Sequence, residues 1–174
     1  MRKLLVVVDM QNDFIDGSLG TKEAEGIVDR VVEEIGKYET KDIFATRDTH
    51  PENYLETQEG KNLPVVHCVK GTPGWELNEK VAAVLGTAEI IDKPTFGSRV
   101  LAEKLAAIAA EEEIEVTLIG LCTDICVVSN ALLIKAFLPE IPVKVVASCC
   151  AGVTPASHEA ALTTMQMCQV KIEK

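Results

Sequence analysis

Val116-Thr117-Leu118-Ile119-Gly120-Leu121-Cys122-Thr123-Asp124-Ile125-Cys126 runs from an apolar segment, through a glycine, to two cysteines. The apolar run reads as a buried strand, the glycine as a turn, and the residues beyond it as the start of a helix. A strand that passes directly into a helix is the repeating unit of an α/β protein. A cysteine on the first helical turn lies beside unpaired N–H groups and a partial positive charge, which favours the thiolate. The same N–H groups can hold an oxyanion, so one segment offers both the attacking atom and its stabiliser. Cys126 is therefore the first candidate nucleophile, and the chain reads as an enzyme.

Outward from this segment the same alternation repeats. Strands are expected at 3–8, 42–46, 88–92, 115–120, 143–147 and, more weakly, 169–172; helices near 22–38, 75–85, 98–111, 125–138 and 155–167. Val28, Val31, Val32 and Ile35 have helical spacing, and Val100, Leu101, Leu105 and Ile108 are expected to face inward from the third helix, with Glu103 and Glu111–Glu113 in water. The pattern predicts an α/β fold: a single domain over 1–174, a three-layer α/β/α sandwich around a mostly parallel, doubly wound, Rossmann-like sheet. Residues 47–74 break the rhythm with many polar residues, three prolines and two of the three histidines. A long irregular stretch within a compact domain is usually functional.

Composition narrows the classes of function. A formal charge of −10 argues against nucleic acid or an anionic membrane as partner. No apolar run approaches transmembrane length, and Leu4–Val8 is too short and too soon followed by Asp9 for a signal peptide, so a cytoplasmic protein is expected. The six cysteines are irregularly spaced and several lie in apolar segments, which fits reduced thiols better than a disulfide framework or a structural zinc site.

In a doubly wound sheet, ligands bind beyond the carboxyl ends of the strands. Asp9 follows LLVVV, Asp48 follows IFATR, Lys93 follows EIID, and Cys126 follows TLIG and its turn. Alone, Asp9 is an ordinary cap carboxylate and Lys93 an ordinary surface lysine. At one sheet edge they form a cleft in which Asp9 can take the thiol proton and Lys93 can stabilise the charges. A second group comprises Asp48, His50, Glu56, Glu59 and His67, nitrogen and oxygen donors suited to a divalent ion. Asp48 and His50, two apart, share one side of an extended segment, while Glu56 and Glu59 compete for the remaining ligand position.

VVVDMQNDF (6–14), RDTH (47–50), LPVVHCVKGTPGWEL (63–77), DKPTFGS (92–98) and GLCTDICV (120–127) together resemble the isochorismatase-like cysteine hydrolases, and among them the nicotinamidases. The resemblance implies an Asp9–Lys93–Cys126 triad that hydrolyses an amide through a thioester. It also implies an oxyanion hole of the Cys122 and Cys126 N–H groups, with a cis peptide at Leu121–Cys122. It implies a metal, zinc or else iron or manganese, on Asp48, His50 and His67. Glu59 stands in for a further histidine that many nicotinamidases carry and this chain lacks. Phe14 matches a ring-packing aromatic, Leu63 falls where a tryptophan is common, and Phe96 lies in an unusually short segment after the lysine; Trp75 is a candidate to fill the gap, although a core residue at a helix start is its commoner role. The implied substrate is nicotinamide or a similar small heteroaromatic amide, and the implied assembly a homo-oligomer, dimer or tetramer. The alternatives are another small carbamoyl, ureido or isochorismate-like substrate, or a non-catalytic binding protein.

Overall fold

A computed structural model describes residues 1–174. The apolar runs form six strands, β1 (Arg2–Val8), β2 (Ile43–Asp48), β3 (Glu89–Lys93), β4 (Ile114–Leu121), β5 (Val143–Ala151) and β6 (Lys171–Glu173). They pair in the order β3-β2-β1-β4-β5-β6, every pair parallel. After β1 the chain builds one half of the sheet, then returns to β4 and builds the other. The strand order therefore reverses between β1 and β4, and this is the point where a crevice opens in such sheets.

Both faces of the sheet are covered, so the strands are apolar on both sides. Alternate residues of β1 divide between two cores: Leu5 and Val7 pack with Ile27, Val31 and Ile35, while Leu4, Val6 and Val8 pack with Leu101, Leu105 and Ile134. The first face is covered by α2 (Lys22–Ile35) and α4 (Glu79–Leu85), the second by α5 (Arg99–Glu111), α6 (Val128–Phe137) and α7 (Pro155–Met167). Each fully buried Leu, Ile or Val contributes about 1.5–3 kcal/mol relative to exposure. Short polar side chains start the helices. Thr21, Asn78 and Ser98 accept main-chain N–H groups of the first turn, and Thr154 forms a reciprocal capping box with Ser157 ahead of Pro155.

Several expectations are corrected. The helix expected from 75 starts at Glu79, because Leu77 pairs with Gln11 in an antiparallel bridge and Asn78 is the cap. Val100 is exposed, whereas α5 buries Leu101 and Leu105 as expected, adds Ala102 and packs Ile108 partly against the core. The first long helix ends at Ile35 rather than 38. The stretch 47–74 contains a 3-10 turn at Tyr54–Glu56 and a short helix, α3 (Gln58–Asn62), and another short helix, α1 (Asn12–Ile15), precedes α2. Cys126 lies in a π-helical turn, Thr123–Val127, that leads into α6.

Candidate active site

Three strand ends converge on one buried lysine. Register pairs Val8 with Thr46 and Asp48 with Lys93, so the carboxyl ends of β1, β2 and β3 lie side by side. Lys93 is fully buried. Its Nζ lies 2.6 Å from Asp9 Oδ2 and 3.5 Å from Asp48 Oδ1. It donates to Cys126 Sγ at 3.3 Å and to the Thr95 carbonyl at 3.1 Å. Asp9 leaves β1 with φ 46°, a left-handed conformation uncommon for aspartate, and is held there by Thr46: its N–H donates to the Thr46 carbonyl and its Oδ1 accepts from Thr46 Oγ1 at 2.6 Å.

Burial disfavours charge on every member of this group, and the neighbours decide the outcome. Burial pushes the Asp9 carboxyl up, against the pull of Lys93, which makes it a stronger proton acceptor than a surface aspartate. Burial lowers Lys93, but Asp9, Cys126 and Asp48 outweigh it and hold the ammonium well above the ordinary lysine value. Burial, then the Asp9 charge, pushes the Cys126 thiol well up despite Lys93. Burial and the Asp9 charge thus favour the thiol, where the helix start alone favours the thiolate. The Leu121–Cys122 peptide is cis. Cys122 contributes its carbonyl to the N–H groups of Ile125 and Val127, which closes the turn and leaves its own N–H without a main-chain acceptor.

The donor cluster lies beyond Asp48. One ligand atom from each of Asp48, His50, Glu59 and His67 falls within 4.8 Å of all the others. His50 Nε2 is 2.9 Å from Asp48 Oδ2 and 3.6 Å from Glu59 Oε1, and His67 Nε2 is 3.7 Å from each of the same two oxygens. Donors about 2.0–2.2 Å from a tetrahedral ion are roughly 3.3–3.6 Å apart, so the cage has the right size. His67 Nδ1 donates to the Val65 carbonyl at 2.7 Å, which leaves the Nε2 lone pair directed at two carboxylates, an arrangement that calls for a cation between them. Asp48 Oδ1 is buried with no hydrogen-bond partner. Burial raises Asp48, but the two histidines and Lys93 outweigh it and hold the carboxyl well below the usual range; burial also raises Glu59, and burial lowers His67 less than Asp48, the Val65 carbonyl and Glu59 raise it.

α3, unread in the sequence, carries Glu59 to this position; Glu56 points away to Asn53 and is exposed. The fully buried Tyr54, also unread, sets its ring 4.7 Å from His50 and 4.9 Å from His67 and donates its hydroxyl to the Leu63 carbonyl. Burial raises the Tyr54 hydroxyl to about 12, so it remains a donor.

Cys126, Cys122 and the four cluster residues line one cavity of about 870 Å³, together with Phe14, Leu63 and Phe96. Trp75 does not line it: the indole lies in the core beneath the Arg47 guanidinium and donates to Thr49, and its own N–H closes a turn onto the Thr72 carbonyl ahead of the helix. His158, the third histidine of the chain, reaches the turn through a 2.8 Å hydrogen bond with Thr123 Oγ1. Asn130, with no signal beyond a polar residue in an apolar helical run, bonds the Cys126 carbonyl.

The family model of the isochorismatase domain matches residues 3–173, and the chain belongs to that family. Among its relatives is the nicotinamidase of Saccharomyces cerevisiae, 31% identical over 122 residues, 52% of this chain and 56% of the yeast protein. The chain thus spans about half the length of that curated relative. The pyrazinamidase of Pyrococcus horikoshii, solved in complex with zinc, superposes with a TM-score of 0.79 at 32% identity, covering 100% of this chain and 99% of that one. The pyrazinamidase/nicotinamidase of Streptococcus mutans gives 0.81 at 27%, covering 98% and 99%.

Proposed function

We propose that this protein is a metal-containing cysteine amidohydrolase that converts nicotinamide, or a closely similar neutral heteroaromatic amide, to the acid and ammonia. The observation that carries this reading is Lys93, buried between Asp9, Cys126 and Asp48, which joins the thiol to the donor cluster on one cavity wall. The cavity is lined by apolar, neutral polar, acidic and histidine side chains, which suits an uncharged ring amide better than an anionic carbamoyl or isochorismate-like substrate.

Asp9 accepts the proton of Cys126 Sγ as the sulfur attacks the carbonyl carbon, and Lys93 offsets the charge that moves between them. The oxyanion is held by the N–H groups of Cys122 and Cys126. Asp9 passes the proton to the amide nitrogen, the C–N bond breaks, and ammonia leaves a thioester on Cys126. Asp9 then takes a proton from water, whose oxygen attacks the thioester; the C–S bond breaks, the acid forms and the proton returns to sulfur. Asp48, His50, Glu59 and His67 would hold the divalent ion, zinc first and iron or manganese otherwise, which when bound supplies an electrophilic anchor for a ring nitrogen. Phe14, Leu63 and Phe96 enclose the ring. The same reading makes the enzyme a cytoplasmic homo-oligomer.

Ammonia release from nicotinamide by the purified protein, before and after chelation and with Cys126→Ala as blank, tests the proposal. Chelator-sensitive release absent from the blank is expected. Release that persists in Cys126→Ala sinks the mechanism, and no release from intact metal-loaded protein sinks the substrate.

A further inference from the structure

Asn130 is buried in α6 with 1% of its surface exposed, amid apolar neighbours. Its amide makes three hydrogen bonds, all to main chain. Nδ2 donates to the Cys126 carbonyl at 2.8 Å and to the Phe96 carbonyl at 3.2 Å, and Oδ1 accepts the Ser98 N–H at 2.9 Å. Asparagine is a poor helix former, and a buried amide is tolerated only when its donors and acceptor are used. One side chain thereby ties the nucleophile's own residue to the segment that follows Lys93.

That segment has few other anchors. Lys93 Nζ donates to the Thr95 carbonyl and Thr95 Oγ1 to the Gly97 carbonyl, so its first half follows the lysine. Gly97 packs so closely on α6 that a Cβ would lie 3.3 Å from the Ser129 carbonyl oxygen. The Phe96 ring is 45% exposed over the cavity, without core packing of its own, so its main chain is what places it.

We propose that Asn130 is a positioning residue that locks the Cys126 turn to the Pro94–Ser98 segment, setting both the placement of the sulfur and the Phe96 wall of the substrate pocket. This rests on the function proposed above. Two substitutions separate its bond to the Cys126 turn from its bonds to the Pro94–Ser98 segment. In Asn130→Thr the hydroxyl back-bonds the carbonyl four residues earlier, that of Cys126, but reaches neither Phe96 nor Ser98. In Asn130→Asp the acceptor for Ser98 remains, while the other oxygen repels the carbonyls of Cys126 and Phe96.

The metal-loaded variants are compared with wild type by steady-state kinetics on nicotinamide, by the rate of Cys126 alkylation with iodoacetamide, and by melting temperature. Asn130→Thr is expected to raise KM about tenfold with kcat and alkylation near wild type. Asn130→Asp is expected to lower kcat and alkylation by about 100-fold. If Asn130→Thr folds with wild-type KM, or if both variants lose kcat alike with no change in KM, Asn130 is a packing residue and the proposal fails. If Asn130→Asp does not fold, the KM of Asn130→Thr decides. If wild type releases no ammonia, the functional reading fails alone; alkylation, slowed in Asn130→Asp and not in Asn130→Thr, then decides the role of Asn130.

Discussion

At the scale of single residues the site is governed by the cost of burying charge. Lys93 is the only cation among Asp9, Asp48 and the Cys126 sulfur, and all of them are out of water. Lys93→Met leaves two buried carboxylates unpaired, and a loss of about 3–5 kcal/mol is expected, measured by denaturant unfolding, along with loss of activity. Cys126→Ala removes only a thiol from the same place, so it is expected to fold like wild type while turnover falls to the blank in an ammonia assay. Because burial and the Asp9 charge favour the protonated thiol, an ultraviolet difference spectrum of wild type against Cys126→Ala should show no thiolate at neutral pH. A thiolate band there would restore the simpler picture of a helix-start cysteine.

At the scale of elements, short pieces of backbone decide which side chains meet. Gly120, next to last in β4, has φ 115° opposite Val8, and a Cβ there would collide with the Val8 carbonyl oxygen. Gly120→Ala should cost about 3 kcal/mol or more and shift the thermal melt accordingly, since the strain and the overlap both fall on the central strand pair. The single turn of α3 makes a sharper distinction. Thr57 caps it, Gly60 packs where any side chain would strike Tyr54, and Glu59 is thereby aimed at the two histidines. Glu59→Gln and His50→Ala should lower the metal content of the purified protein, measured by elemental analysis after dialysis. Glu56→Gln should leave it unchanged, and equal losses from both glutamates would refute the ligand assignment.

At the scale of the molecule the second core carries a buried thiol, Cys150, whose titration is readable in the stability. Cys150 is raised from 9.0 to about 12 by burial. The unfolded chain loses this proton first as pH rises, so the native state binds more protons between those values and stability falls with pH there. The fall attributable to Cys150 is about 1.4 kcal/mol per pH unit, present in wild type and absent in Cys150→Ala. Parallel stability profiles for the two proteins above pH 9 would show that the thiol is hydrated.

The alternation of apolar runs with amphipathic segments was enough, without coordinates, to establish a parallel α/β sheet, because strand and helix periodicities depend on neighbours in the chain. It was also enough to list Asp9, Asp48, Lys93 and Cys126, since each follows an apolar strand and parallel strands end at the same edge. What the chain order could not convey was the choice of Glu59 over Glu56 and the presence of Tyr54, Asn130 and His158 beside the cavity. Those depend on contacts between segments as many as 35 residues apart and on short turns whose geometry is imposed by what they pack against. The protonation of Cys126 belongs with them, because local sequence supplies the helix-end field whereas only the closed fold removes the water and sets a carboxylate beside the sulfur.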